Sequence, residues 1–238
     1  MILSACGWSR ESRNCGIRQT SDLGSSPIPR YGFADDYPQA FPDRAMSLIL
    51  ASNSSIRKAM LDQAGLSYRI VSPDFDEDIV KQKHVGDGEG LVIRLAQGKA
   101  LSIAAGDNDW IIGSDSSVIV DGERFSKPRN RDDAAAHLRA FSRRTLELSS
   151  GVALVRDGKV VWSHAETAKL HVRPLSEQFI ADYLDAEWPA VSYCVGVFRI
   201  EGRGVTLFEK VEGSYFTILG MPLLPLLGAL RERGLMPS

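Results

Sequence analysis

Three groups of side chains have the types and spacing for phosphate chemistry. The first lies in SLILASNSSIRKAML, Ser47 to Leu61, where an apolar run passes through Ser52, Ser54 and Ser55 into a helical pattern carrying Arg57 and Lys58. Hydroxyls and unpaired N–H groups at a helix start attract anions. Basic residues there oppose the helix dipole by about 0.3–1 kcal/mol each, so a bound anion would be the missing compensation. Ordinary N-capping by Ser54 or Ser55, with both basic residues in water, accounts for the same letters.

The second group is acidic. Asp115 follows an apolar run in IIGSDSS; at the end of a buried strand such a carboxylate can hold a metal or orient a water, or it can bond to its own turn. Glu77, in PDFDED, is a second candidate, although acidic clusters usually sit in solvent. The third group is basic: Lys99 in RLAQGKA, five residues after Arg94, and Lys127 before Pro128 in FSKPRNR. Lysine serves phosphate as a point charge. Each feature alone has a bland surface explanation. Their recurrence at several strand ends predicts a site for phosphate and a divalent metal.

The pattern that must position these groups is mixed α/β. SLILA and YRIVS read as strands around a helix from Ile56 to Ala64 that stops at Gly65. A helix is expected over about Glu89 to Ala105. WIIGSDSSVIVDGERF then predicts a buried strand, a polar kink at Gly113 to Ser117, and a strand closed by the Asp121-Gly122 turn. A helix over about Arg131 to Phe141 precedes two long strands that meet at Asp157-Gly158. Ser176 caps a helix through about Asp185, GVTLFEKV is a strand, and Pro222 to Arg233 forms a closing helix. Long antiparallel strands of this kind are not a repeating βαβ series.

Composition excludes several classes. In 238 residues, 28 Lys and Arg stand against 30 Asp and Glu, so no general basic field argues for nucleic acid or an anionic membrane as partner. The apolar run MPLLPLLGAL carries two prolines and is half of the roughly 20 residues a membrane span needs. Cys6, Cys15 and Cys194 make no C-x-x-C and the histidines no H-x-x-x-H, which supports neither zinc nor a disulfide framework and leaves a reducing cytoplasm as the expected location. No P-loop, dinucleotide fingerprint or G-x-S-x-G elbow is present; GDGEG has the wrong spacing. Residues 1–45 lack lysine and any sustained period. They read as a poorly ordered leader or a start-site artefact, with the domain at 46–238.

From about Met46 to Leu235 the chain resembles the Maf family of nucleoside triphosphate pyrophosphatases, also called septum-formation-inhibitor-like proteins. The resemblance rests on ordered blocks: LASNSSIRKAML, FDE, RLAQGKA, IIGSDSSVIVDGERFSKP, SGVALV and GVFRIEGRGVTLFEKVEGSYFTILGMPL. It implies an elongated mixed sheet with a central cleft, like the inosine triphosphatase fold, usually dimeric. It also implies hydrolysis of a nucleoside triphosphate to the monophosphate and pyrophosphate with Mg²⁺ or Mn²⁺. Asp115 matches the family's proton acceptor for the attacking water; Arg57, Glu77, Lys99 and Lys127 match the other polar positions of the catalytic site. Ser52, Ser54 and Arg57 would hold the triphosphate, Lys99 and Lys127 would neutralise the leaving pyrophosphate, and Glu77 and Asp115 would hold the metal.

The chain departs from the family pattern where the family chooses its base. Ser55 and Ile56 replace the proline and first arginine of S-P-R-R, Ser116 replaces the common threonine, and Glu201 stands where the branch specific for dTTP and UTP has glutamine. A carboxylate cannot donate to a pyrimidine carbonyl, but it accepts from purine N–H groups and attracts a cationic methylated base. In the family, a glutamate at this position resembles the 7-methyl-GTP branch, whereas Ser116 does not match that branch's glutamine. Two other readings stand beside this one: a nucleotide-binding regulator of cell division with little turnover, and a phosphatase releasing one orthophosphate at a time.

Overall fold

The computed structural model describes residues 47–104, 106 and 108–237; the expected leader lies outside them. Seven strands form one mixed sheet. Strand β1 (Leu48–Ala51) pairs in parallel with β2 (Arg69–Ile70) on one side and with β3 (Trp110–Val120) on the other. From β3 onward the pairing is antiparallel, through β5 (Thr145–Arg156), β6 (Lys159–Val172) and β7 (Phe208–Glu212), while β4 (Glu123–Phe125) folds back on β3. Among the described residues the α-helices are α1 (Ser55–Gln63), α2 (Glu77–Lys83), α3 (Gly88–Leu101), α4 (Arg131–Phe141), α5 (Glu177–Glu187), α6 (Tyr215–Leu219) and α7 (Leu223–Glu232).

Local signals explain most boundaries. Both expected hairpin turns are present, with Asp121-Gly122 and Asp157-Gly158 all at positive φ, as a two-residue turn of matching twist requires. Asn130 and Ser176 cap α4 and α5 through their side chains. Three expectations need correction. The kink at Gly113 to Ser117 does not exist: β3 runs unbroken against β5 from Trp110↔Arg156 to Val120↔Leu146. The small polar residues stay extended because Ser149, Ser150 and Gly151 of β5 face Ser117, Ser116 and Asp115 in register. Helix α3 ends at Leu101, where the Ser102 hydroxyl donates back to the Lys99 carbonyl. In GVTLFEKV only Phe208 onward is strand; Arg203–Leu207 is a 3₁₀ turn.

Apolar packing occupies both ends of the long strands and leaves their middle polar. At one end Val118, Val120, Leu146, Leu148 and Leu170 pack with α4 and α5 through Leu138, Phe141, Ile180 and Leu184. At the other, Leu50, Ile112, Val152 and Leu154 pack with α1, α6 and α7 through Met60, Leu61, Phe216 and Leu226. Each fully buried side chain of this size contributes about 1.5–3 kcal/mol. Between the two cores, β3 pairs on one edge with β1 only as far as Gly113 and with β4 only from Val118. Ser114 to Ser117 lie in the gap.

Helix α3 crosses beneath that gap at backbone contact. A Cβ on Gly113 would come within 2.0 Å of the Ala96 carbonyl oxygen, and one on Gly151 within 2.7 Å of Val92. Two glycines on neighbouring strands thus let the helix lie flat on the sheet, which sets the depth of its last turn.

Candidate active site

The gap gathers side chains from four elements. Helix α1 supplies Arg57, whose Nε donates to the Gly220 carbonyl at 2.9 Å and whose Nη2 donates to Ser116 Oγ at 3.0 Å. Ser52 Oγ lies 3.5 Å from Nη1 and accepts the Ser54 N–H at 3.2 Å. Only 8% of Arg57 is exposed, yet its partners among the described residues are neutral oxygens. Burial pushes its pKa below the ordinary arginine value, opposed by Asp115 and then Glu77. A buried guanidinium without its own carboxylate is costly unless an anion completes the site. Ser54 occupies the N-cap position of α1 but makes no side-chain capping bond, leaving the first-turn N–H groups to another acceptor.

On the other side of β3, Lys99 reaches up from the last turn of α3. Its Nζ lies 2.7 Å from Glu77 Oε1 and 3.0 Å from Asp115 Oδ2. Asp115 Oδ1 accepts the N–H of Ser116 at 2.8 Å. Among the described residues Oδ2 has no well-aligned hydrogen bond despite the nearby ammonium, so one carboxylate oxygen is anchored and the other is held there by charge. Glu77 also contacts Lys81 at 2.6 Å. Burial alone would raise the Glu77 pKa, but hydrogen bonds and charge from Lys81 and Lys99 outweigh it and hold the carboxyl down at about 2. Helix α2 aims this group: Asp76 caps it by accepting from the Asp78 and Ile79 N–H groups, which fixes Glu77 at the first helical position.

The structure thus brings together Ser52, Arg57, Glu77, Lys99, Asp115 and Ser116. Ser54 stands at the mouth, half buried, and Ile56 is half buried beside Arg57 on α1. Lys127 and Glu201 are exposed and touch none of this cluster. They belong to a second neighbourhood. Burial, then Glu201, pushes the Cys194 thiol up to about 11, while Arg199 and Lys127 oppose them; one cysteine therefore senses both residues. Arg199 is tied to the buried Glu187 at 2.7 Å. Asp115 is also deeper than expected, in mid-strand rather than at a strand end.

Sequence reasoning missed two contributors. Lys81 carried a signal, the i,i+4 spacing from Glu77. The Gly220 carbonyl carried none: it accepts from Arg57 and from Ser114 at 3.1 Å, with Ser116 Oγ 3.2 Å away, at the left-handed end of α6. Among the described residues no three Asp, Glu, His or Cys side chains surround one point. Glu77 and Asp115 are a pair of carboxylates, which suits a hard cation that takes its remaining ligands from phosphate oxygens and water.

Buried and half-buried cations stand beside paired carboxylates at a gap in the mixed sheet of an α/β protein. The chain belongs to the Maf family: residues 47–233 match the model of the Maf-like protein family. A 7-methyl-GTP pyrophosphatase of Rhizobium etli is 44% identical over 191 residues, which is 79% of this chain and 96% of that protein. A nucleoside triphosphate pyrophosphatase of Nitrobacter winogradskyi is 42% identical over 79% of this chain and 95% of its own length. Another of that name, from Sphingopyxis alaskensis, is 42% identical over 81% and 100%.

Proposed function

We propose that the chain is a nucleoside triphosphate pyrophosphatase. Water attacks the α-phosphorus, the bond from that phosphorus to the α–β bridging oxygen breaks, and monophosphate and pyrophosphate are released. The carrying observation is Arg57, buried and, among the described residues, paired with neutral oxygens, beside the Glu77–Lys99–Asp115 cluster. Family membership and the names of the relatives support the reading.

Each residue then has a role. Arg57, Ser52 and Ser54 bind phosphate oxygens, with the free start of α1 behind them. Asp115 accepts a proton from the attacking water, its carboxylate oriented by the Ser116 N–H on Oδ1. Lys99, held between Glu77 and Asp115, neutralises charge on the leaving group, joined by Lys127 from the exposed rim. Glu77 and Asp115 would hold a Mg²⁺ or Mn²⁺ ion; when bound, the ion lowers the pKa of water and neutralises phosphate charge. Attack by water leaves no covalent intermediate on the chain.

The base is read by Glu201, with Ile56 and Ser116 nearer the phosphates. Arg199 and Lys127 lie in the same neighbourhood as Glu201, so the carboxylate works in a charged setting. A base with N–H donors or a positive charge suits it, and 7-methylguanine has both. The whole activity resides in residues 46–238, working in the cytoplasm as a homodimer.

Product analysis with Mg²⁺ across common triphosphates, modified pyrimidine triphosphates and 7-methyl-GTP tests the reading. Monophosphate with pyrophosphate, lost in Asp115→Asn, is the expected outcome, with the preference for 7-methyl-GTP relaxed in Glu201→Gln. No turnover of any triphosphate by folded protein would refute it, and stepwise orthophosphate would replace it with the phosphatase reading.

A further inference from the structure

Behind Arg57 a chain of hydrogen bonds crosses three strands to a carboxylate that the reaction does not use. Ser116, Ser150 and Glu166 are cross-strand neighbours in register on β3, β5 and β6. Thr217 of α6 lies over them, fully buried, as is Ser150. Ser116 Oγ and Ser150 Oγ are 2.8 Å apart, the Ser150 hydroxyl donates to the Thr217 carbonyl at 2.7 Å, and the Thr217 hydroxyl donates to Glu166 Oε2 at 2.5 Å.

Counting protons gives the chain a direction. Ser150 has one hydroxyl proton and spends it on the Thr217 carbonyl, so it can only accept from Ser116. Ser116 also has one proton, and two acceptors within reach, Ser150 Oγ at 2.8 Å and the Gly220 carbonyl at 3.2 Å; given to the nearer Ser150, it leaves the lone pairs of Ser116 facing Arg57 Nη2. The guanidinium meets an acceptor whose orientation is imposed from behind. Its other anchor, the Gly220 carbonyl, is three residues from Thr217 at the end of the same short helix. Both anchors of Arg57 therefore depend on where α6 sits, and the Thr217–Glu166 bond ties α6 to β6.

We propose that Ser150, Thr217 and Glu166 are positioning residues for the phosphate-binding Arg57, acting through Ser116 and the Gly220 carbonyl. The inference rests on the phosphate role given to Arg57 above. Such residues fix where a polyphosphate binds whatever base it carries. Loosening them weakens ground state and transition state alike, which raises KM and leaves kcat near its original value.

Inorganic tripolyphosphate, which has no base, is the probe. Its inhibition constant would be measured for Thr217→Val, Ser150→Ala and the conservative Thr217→Ser, beside KM and kcat for a turned-over triphosphate and the melting temperature of each protein. In Thr217→Val and Ser150→Ala, the tripolyphosphate inhibition constant and KM should rise together by roughly tenfold, the size of one lost hydrogen bond to a charged group. The ratio of kcat/KM between bases should not move, and Thr217→Ser should restore binding. Lowered melting temperature with unchanged tripolyphosphate binding would reduce these residues to a structural role and overturn the proposal; wild-type protein that binds no tripolyphosphate would overturn it together with the role of Arg57. Wild-type protein that binds tripolyphosphate through this relay but releases no pyrophosphate from any triphosphate would uphold the relay and refute only the catalytic reading.

Discussion

Replacing Lys99 by methionine removes the ammonium that lies between two carboxylates and keeps most of the side-chain volume. Taking one partner from a buried ion pair costs about 3–5 kcal/mol. Here Glu77 keeps Lys81 at 2.6 Å and has a third of its side chain in water, so most of the loss falls on Asp115, whose side chain is 11% exposed. Asp115 retains one N–H bond to Oδ1. The expected cost is therefore about 2–3 kcal/mol. In a domain of this size each kcal/mol moves Tm by about 2–4 °C, giving a fall of roughly 4–12 °C. Denaturant unfolding and thermal melts of Lys99→Met, Asp115→Asn and the double variant measure the coupling. The double variant should recover most of the loss, since a neutral amide beside an apolar side chain leaves no buried charge. A Lys99→Met protein within about 0.5 kcal/mol of wild type, or strictly additive losses in the double variant, would refute the clamp.

Further expectations concern the acid limit, the helix crossing and the leader. The folded Glu77 pKa, about 2, lies below its ordinary 4.5, so its stabilisation is complete above about pH 4.5 and disappears as pH falls towards 2; with chelator present, Glu77→Gln should flatten the stability profile in that window. Gly113→Ala would drive a Cβ to 2.0 Å from the Ala96 carbonyl and should cost at least about 3 kcal/mol or prevent folding. Gly228→Ala, with open space around it on α7, should gain up to about 1 kcal/mol by the same unfolding assay. Deletion to Met46 should leave kcat and KM unchanged; a folded deletion protein without activity would show that the leader takes part.

What could be read from the sequence divides along the range of the interactions. Helix α4 and both Asp-Gly turns were legible because caps, period and turn chemistry lie within a few residues of each other. Gly113 to Ser117 misled because small polar residues normally break a strand, and the partners that keep them extended, Ser149 to Gly151, lie more than thirty residues away. Helix α2 was hidden in an acidic run whose Asp76 is a cap rather than a solvated charge. Arg57, Glu77, Lys99 and Asp115 could be nominated singly from residue type, but their convergence depends on Gly113 and Gly151 admitting α3. The Gly220 carbonyl could not be nominated at all, since every residue except proline has the same backbone groups.

Hydrolysis in ¹⁸O-labelled water tests the central claim most directly. Attack at the α-phosphorus by a water that Asp115 deprotonates puts the label in the nucleoside monophosphate and none in pyrophosphate, and Asp115→Asn abolishes incorporation. Label in pyrophosphate or orthophosphate, or undiminished incorporation by the variant, would contradict it.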